Sequence, residues 1–308
     1  MFAVIGGSGL TRIPELEITG RRIVRTPYGL PSAPLLTGRS GGRELVFLAR
    51  HGLNHTLAPH EINYRANIWA LKSLDVVGII AVSAVTSLNS DWRSGSLVLP
   101  DDLIDYTSAR SATFFENDNC GVVHTDFAEP YDSALRQTLL KHAAARETVL
   151  LPQAVYGCLQ GPRTPTRAEM RRLRRDGVDI FGMTGMPEAA LARELDLPYA
   201  ILGVVANRAA GLAPGADATQ TMQGLGVKTL EGTAATTYTF GEGGEARDVA
   251  LTVPKTDVPA TGTVSVDATP AQIEQLCVET GFSRFPVVGS DGSLEGYIHT
   301  KDILAVPA

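Results

Sequence analysis

Long apolar stretches are what this chain of 308 residues most plainly lacks. No run approaches the roughly 20 residues of a membrane-crossing helix, and no basic-apolar-small leader opens the sequence. Neither a membrane span nor a secretory signal is expected, and the expected compartment is the cytoplasm. Cysteine is scarce as well. Cys120, Cys158 and Cys277 are odd in number, scattered and free of CxxC spacing, which fits buried or free thiols of a reducing compartment and no disulfide framework. Excess positive charge is missing too: the formal net charge is −6, so no nucleic-acid partner is expected. The cluster Arg167, Arg171, Arg172, Arg174 and Arg175 reads as the solvated face of a helix. His51, His55 and His60 lie close together without HExxH spacing or a carboxylate triad, so no metal and no resident cofactor is expected.

What is present suits an α/β protein. A hydrophobic content of 44% can bury a sizeable core, and the length allows one large domain plus a small one. Several short apolar runs end in small polar segments. Phe2-Ala3-Val4-Ile5 breaks into Gly6-Gly7-Ser8-Gly9, where glycines let backbone N–H groups approach an anion and Ser8 adds a hydroxyl. That loop lacks the dinucleotide fingerprint and the Lys-Ser/Thr of a P-loop, so alone it signals only a tight turn. A second strand is expected over 76–82, running out into Ser83-Ala84-Val85-Thr86-Ser87. A third is expected over 199–206, running out into Asn207-Arg208-Ala209-Ala210-Gly211. Between them, residues 182–188 join Ile180-Phe181 to a helix beginning near Pro187, a favoured first-turn residue. In open α/β sheets ligands gather at the carboxyl ends of strands, so these segments are expected to converge on one site.

Phe47-Leu48-Ala49 leads into Arg50-His51, and a helix with the apolar face Ile62, Ala66, Trp69 and Ala70 follows. Arg50 offers a planar, permanent cation for an anion, and His51, Ser8, Ser83 and Thr184 can add donors. His55 either orients this loop or caps the helix.

The blocks IGGSGL (5–10), FLARHG (47–52), NYRANIWALK (63–72), GPRTPTRAE (161–169), GMTGMPEAALARELDLPYA (182–200) and VANRAAG (205–211) carry a family resemblance. Together and in order they resemble the methylthioadenosine phosphorylase branch of the purine nucleoside phosphorylases, and within it bacterial S-methyl-5'-thioinosine phosphorylases most of all. The resemblance runs over residues 1–211. It implies a central mixed sheet flanked by helices, and a phosphorolysis in which inorganic phosphate, the co-substrate, attacks C1' of a purine nucleoside and releases the base. Cleavage builds positive charge on the ribose and negative charge on the purine, so an anion must be held on one face and the leaving base hydrogen-bonded on the other. The resemblance places Ser8, Arg50, His51, Ser83, Ala84 and Thr184 around phosphate. It sets Ala84 and Val85 beside the base and Met183 against the ribose, with Asn207, Arg50 and His51 as the catalytic set. His124, within 122–131, would reach into a neighbouring subunit's site, which implies a homotrimer.

Substrate choice rests on Asn207. Adenine-cleaving relatives carry aspartate there, whereas an amide can donate to O6 while bridging N7, so Asn207 points to a 6-oxopurine nucleoside, S-methyl-5'-thioinosine first. Ala209, where those relatives have a second acidic residue, points the same way. Thr86 departs from the family's glycine beside the purine. A larger departure follows: the family's long C-terminal helix is replaced over 212–253 by a run rich in Gly, Ala and Thr that reads as linker.

Residues 254–308 read as a small α+β tail. A capping box begins a helix at Thr269-Pro270-Ala271-Gln272, and strands are expected over 284–288 and 294–299 around a Gly-Ser-Asp-Gly turn. GFSRFPVV and EGYIHTKDIL resemble a single CBS motif, half of the pair that binds adenine nucleotides. A fusion remnant is the preferred reading of this half-CBS tail. The alternative to an active enzyme is an impaired phosphorylase core acting as an adenine-nucleotide sensor through the tail.

Overall fold

The computed structural model describes residues 1–8, 10, 13, 16–116, 122–208, 264–265, 272, 284–288 and 294–299. In chain order its first eleven strands are β1 (Phe2–Gly6), β2 (Glu17–Arg22), β3 (Leu35–Ser40), β4 (Arg43–Ala49), β5 (Ile79–Ser87), β6 (Leu97–Val98), β7 (Asp102–Tyr106), β8 (Leu150–Leu151), β9 (Val155–Leu159), β10 (Ile180–Gly182) and β11 (Tyr199–Arg208). The helices are α1 (Tyr64–Lys72), α2 (Ser133–Ala144), α3 (Arg167–Arg175) and α4 (Glu188–Glu194). All eleven strands join one mixed sheet, whose main path runs β2-β3-β4-β1-β5-β10-β9-β7, with β11 pairing β5 and β6.

Central β5 organises the sheet. It runs parallel to β1 on one edge and to β11 on the other, and its last residues pair antiparallel with β10. Its sequence, IIAVSAVTS, is rich in β-branched residues and alternates buried with half-buried positions. Ile79, Ala81, Ile201 and Val205 are buried on β5 and β11, and Ile5 and Leu48 on β1 and β4. Helix α1 begins where the Asn63 side chain accepts from the Ala66 N–H, so Asn63 and not His55 caps it. Its buried face is Tyr64, Ala66, Asn67, Ile68, Ala70 and Leu71, while Trp69 is only partly buried. Helix α3 opens on the Thr166–Glu169 capping box and buries Met170 and Leu173, leaving its arginines largely in solvent.

Two expected loops are strand. Ser83 to Ser87 lie within β5, because β11 follows that edge throughout and β10 pairs Phe181 with Thr86 and Ile180 with Ser87. Asn207 and Arg208 likewise belong to β11, which continues past a register shift between Val205 and Asn207.

Separately, β12 (Val264–Ser265), β13 (Arg284–Val288) and β14 (Leu294–His299) form a three-stranded sheet. The antiparallel pair β13 and β14 has the bounds expected from the sequence; the parallel strand β12 was not foreseen. The linker over 212–253 and all but Gln272 of the helix expected from 269 lie outside the described residues.

Candidate functional site

One edge of β5 carries two partners that meet head to head. Strand β1 is registered against Ile79, Ile80 and Ala81, and β10 against Thr86 and Ser87. Because β1 runs parallel to β5 and β10 antiparallel, both carboxyl ends point at residues 82–85, where neither strand is paired. The Ala3 N–H donates to the Gly78 carbonyl on this edge at 2.9 Å, and the Ile79 N–H to Pro198 on the other at 2.8 Å. Backbone groups alternate between edges, so Ala84 turns its N–H into the gap. The Ser83 hydroxyl is buried there and has no hydrogen-bond partner. Buried hydroxyls are nearly always paired, so an unpartnered one beside the gap makes Ser83 a candidate ligand contact.

The glycine loop after β1 forms one wall. A Cβ on Gly7 would stand 2.6 Å from the Val82 carbonyl oxygen, 2.8 Å from Arg50 Nη1 and 3.5 Å from Ser83 Cα. Only glycine lets the loop lie this close over Arg50 and β5. Ser8 is half-buried beside it, and its Oγ is 3.4 Å from His55 Nε2.

Arg50 forms the floor, and its planar cation is paired with a carboxylate. Its backbone N–H donates to the Gly6 carbonyl, extending the β1–β4 ladder. Its side chain is 1% exposed and its Nε and Nη2 donate to Glu188 Oε2 and Oε1 at 2.7 and 2.9 Å. Nη1 donates to the Val82 carbonyl at 3.1 Å. A guanidinium has five N–H groups, so two remain, one on each terminal nitrogen. Burial alone would lower the Arg50 pKa, but the Glu188 carboxylate outweighs it and holds the pKa above its ordinary value. Tyr199 donates its hydroxyl to Glu188 Oε1 at 2.9 Å.

His51 departs from expectation. Its Nδ1 lies 2.8 Å from the Leu57 carbonyl, which can only accept, so Nδ1 carries the proton. Burial first, then His55 and Arg50, push its pKa down to about 3. The ring is neutral, and its other nitrogen accepts. As a side-chain donor to an anion His51 is therefore unsuited, and it fits a partner that brings its own proton. His55, whose ring is tilted 56° to that of His51 with the centroids 4.6 Å apart, is pushed down to about 4 by burial.

The second wall is the segment between β10 and α4. A Cβ on Gly182 would overlap the Tyr156 hydroxyl, and one on Gly185 would lie 2.7 Å from Tyr156 Cε1. Both glycines thus wrap the Tyr156 ring, which brings Thr184, buried, and Met183, half-buried, to the end of β10. Arg110 clamps this turn, donating to the Met183 and Met186 carbonyls at 2.9 and 2.5 Å while lying over the Tyr64 ring.

Ser8, Arg50, Ser83, Ala84 and Thr184 therefore lie on the elements that converge on the gap. Val85 is buried on β5, one residue further. Asn207 is registered against Thr86, which also faces Phe181, so three strands meet at that level. The Asn207 side chain and Ala209 lie outside what the structure describes. His124 is exposed, in a segment without regular structure. Glu188, Tyr199, Tyr156 and Arg110 were not foreseen. The only trace of Glu188 in the sequence is a lone acidic residue after Met186-Pro187, and its partner lies 138 positions away.

Known proteins are similar to both parts of the chain. A CBS domain model matches residues 246–308. A probable S-methyl-5'-thioinosine phosphorylase of Pseudomonas syringae pv. tomato is 52% identical over 211 residues, 68% of this chain and 86% of the relative. The 6-oxopurine nucleoside phosphorylase of Pyrococcus furiosus is 44% identical over 217 residues, 69% of this chain and 81% of the relative. Among solved structures, methylthioadenosine phosphorylase from Schistosoma mansoni in complex with adenine superposes with a TM-score of 0.64 at 35% identity, covering 67% of this chain and 78% of that one. With the phosphorylase superfamily model matching residues 1–235 as well, the chain belongs to the phosphorylase superfamily.

Proposed function

We propose that this protein is a pentosyltransferase that splits a 6-oxopurine nucleoside with inorganic phosphate, most specifically S-methyl-5'-thioinosine to hypoxanthine and 5-methylthioribose 1-phosphate. The observation that carries the reading is the gap beside Ser83 and Ala84, with an unpartnered buried hydroxyl and two uncommitted Arg50 N–H groups around it. Phosphate supplies both the nucleophile and the counter-charge for a cationic ribose, so no covalent protein nucleophile and no cofactor is required. A phosphate that keeps one proton can donate it to His51.

The base subsite rests on Asn207 and Thr86, and a 6-oxo group suits an amide better than a carboxylate. Names borne by the relatives, S-methyl-5'-thioinosine and 6-oxopurine nucleoside phosphorylase, support that choice. Exposure of His124 and of Val122, 85% accessible, is consistent with a segment completed by a neighbour, and we assign a homotrimer. Among the described residues no helix is long and apolar enough to cross a membrane, and we assign the cytoplasm. The domain plan is a core over 1–211, a linker over 212–253 and a CBS-like tail over 254–308.

The test is release of free base from methylthioinosine, inosine and methylthioadenosine with and without phosphate. Hypoxanthine released from methylthioinosine only when phosphate is supplied is the expected result. Release without phosphate, or methylthioadenosine cleaved equally well, overturns it.

A further inference from the structure

We propose that Glu188 is the positioning residue for phosphate: it fixes the plane of the Arg50 guanidinium so that the two remaining N–H groups face the Gly7–Ser83 gap, and it offsets that cation's charge. This rests on the reading that inorganic phosphate occupies the gap.

The geometry is specific. Glu188 and Arg50 are 0% and 1% exposed, and the carboxylate meets the guanidinium at two points, 2.7 and 2.9 Å. A two-point contact between planar groups removes rotation of the guanidinium about its own axis, and the Val82 carbonyl holds a third N–H. Behind the carboxylate stands Tyr199, whose hydroxyl donates to Oε1 at 2.9 Å from the first residue of β11. Arg50, at the end of β4, and Glu188, at the start of α4, are thus joined through the same central strands that frame the gap.

Two consequences oppose each other. Orientation of the donors favours a correctly placed phosphate, while the carboxylate repels the incoming anion. In a buried site a nearby full charge outweighs one hydrogen bond, so Glu188 lowers phosphate affinity while it improves the aim of the donors. The pair is complete before any ligand arrives, so the donors are preorganised.

The experiment is calorimetric titration of inorganic phosphate into the full-length protein, with steady-state turnover measured alongside, for wild type, Glu188→Gln and Tyr199→Phe. For Glu188→Gln the expected result is phosphate bound at least about threefold tighter with turnover lowered about tenfold or more. A residue that merely stabilised the fold would not move the two in opposite directions. Any other pattern in a folded Glu188→Gln protein overturns the proposal. Should that variant not fold, Tyr199→Phe decides, because it keeps the charge and removes the support behind it. The phosphate Kd should then rise about threefold with the nucleoside KM unmoved; an unchanged Kd, or an equal shift in the nucleoside KM, overturns the role of Glu188. Wild type that binds no phosphate defeats the underlying reading, and this inference with it. Wild type that binds phosphate beside unresponsive variants defeats the inference alone.

Discussion

The Tyr156 hydroxyl fills the space into which a side chain at Gly182 would project. The tyrosine ring is fully buried on β9, and its hydroxyl sits 3.5 Å from the Thr184 N–H. The polar segment at the end of β10 is therefore shaped by a ring from the next strand. Gly182→Ala should force that ring or the segment aside, costing about 1–3 kcal/mol and weakening phosphate use through Thr184. Trimming the ring edge with Tyr156→Phe in the same chain should recover part of the loss in thermal denaturation. An additive pair of effects would show that the two residues are not in contact.

The Arg50–Glu188 pair separates stability from activity. Arg50→Ala leaves a buried carboxylate unpaired and should cost about 3–5 kcal/mol, besides lowering turnover about tenfold or more. Replacing both residues, as Arg50→Met with Glu188→Leu, should restore most of the stability and none of the activity. Chemical denaturation of the single and double variants checks this; a double variant as unstable as Arg50→Ala contradicts it.

Ser83→Ala removes a buried hydroxyl that has no partner in the free protein. The expected outcome is a protein as stable as wild type or more stable by about 1 kcal/mol, with a raised phosphate KM. Reduced stability would mean that the hydroxyl has a structural partner.

The two neutral histidines give the fold an acid-sensitive window. An unfolded histidine takes up a proton near 6.5, whereas His51 and His55 resist until about 3 and about 4 because they are buried. Below pH 6.5 the unfolded state binds protons that the folded state refuses. Stability is therefore full above 6.5 and falls as pH drops, by about 1.4 kcal/mol per pH unit for each ring. The exposed Glu169–Arg163 contact acts lower, because that bond holds the Glu169 carboxyl at about 2, so its contribution is lost only between 4.5 and about 2. Urea denaturation between pH 7.5 and 4.5 should show the decline, and His55→Asn should make it shallower. A flat profile refutes the assignment of both rings as neutral.

Asn207→Asp should depress cleavage of methylthioinosine and shift relative preference toward methylthioadenosine. An acceptor set against O6 costs about 1–3 kcal/mol, which is about tenfold to a hundredfold in the ratio of kcat/KM values. An unchanged ratio would remove Asn207 from the base subsite.

Much of the fold was legible because its cues are local. Apolar runs ending in small residues mark β1 and β10, Thr166 and Glu169 three apart mark the start of α3, and the segments around the Gly-Ser-Asp-Gly turn mark β13 and β14. The ordered family blocks likewise foretold a mixed sheet flanked by helices. From the sequence alone came the candidate anion donors Arg50, His51, Ser8, Ser83 and Thr184, chosen for the chemistry of their side chains.

How those side chains are held was decided only by tertiary structure. Strand ends were misjudged at Ser83–Ser87 and at Asn207, because whether a polar residue extends a strand depends on which neighbours pair with it, and those are β10 and β11. Glu188, 138 residues from Arg50, turns an isolated cation into a neutral clamp. A carbonyl at Leu57 turns His51 from a donor into an acceptor. Charge, tautomer and orientation are properties of contacts, and contacts between distant residues exist only once the chain has closed around them.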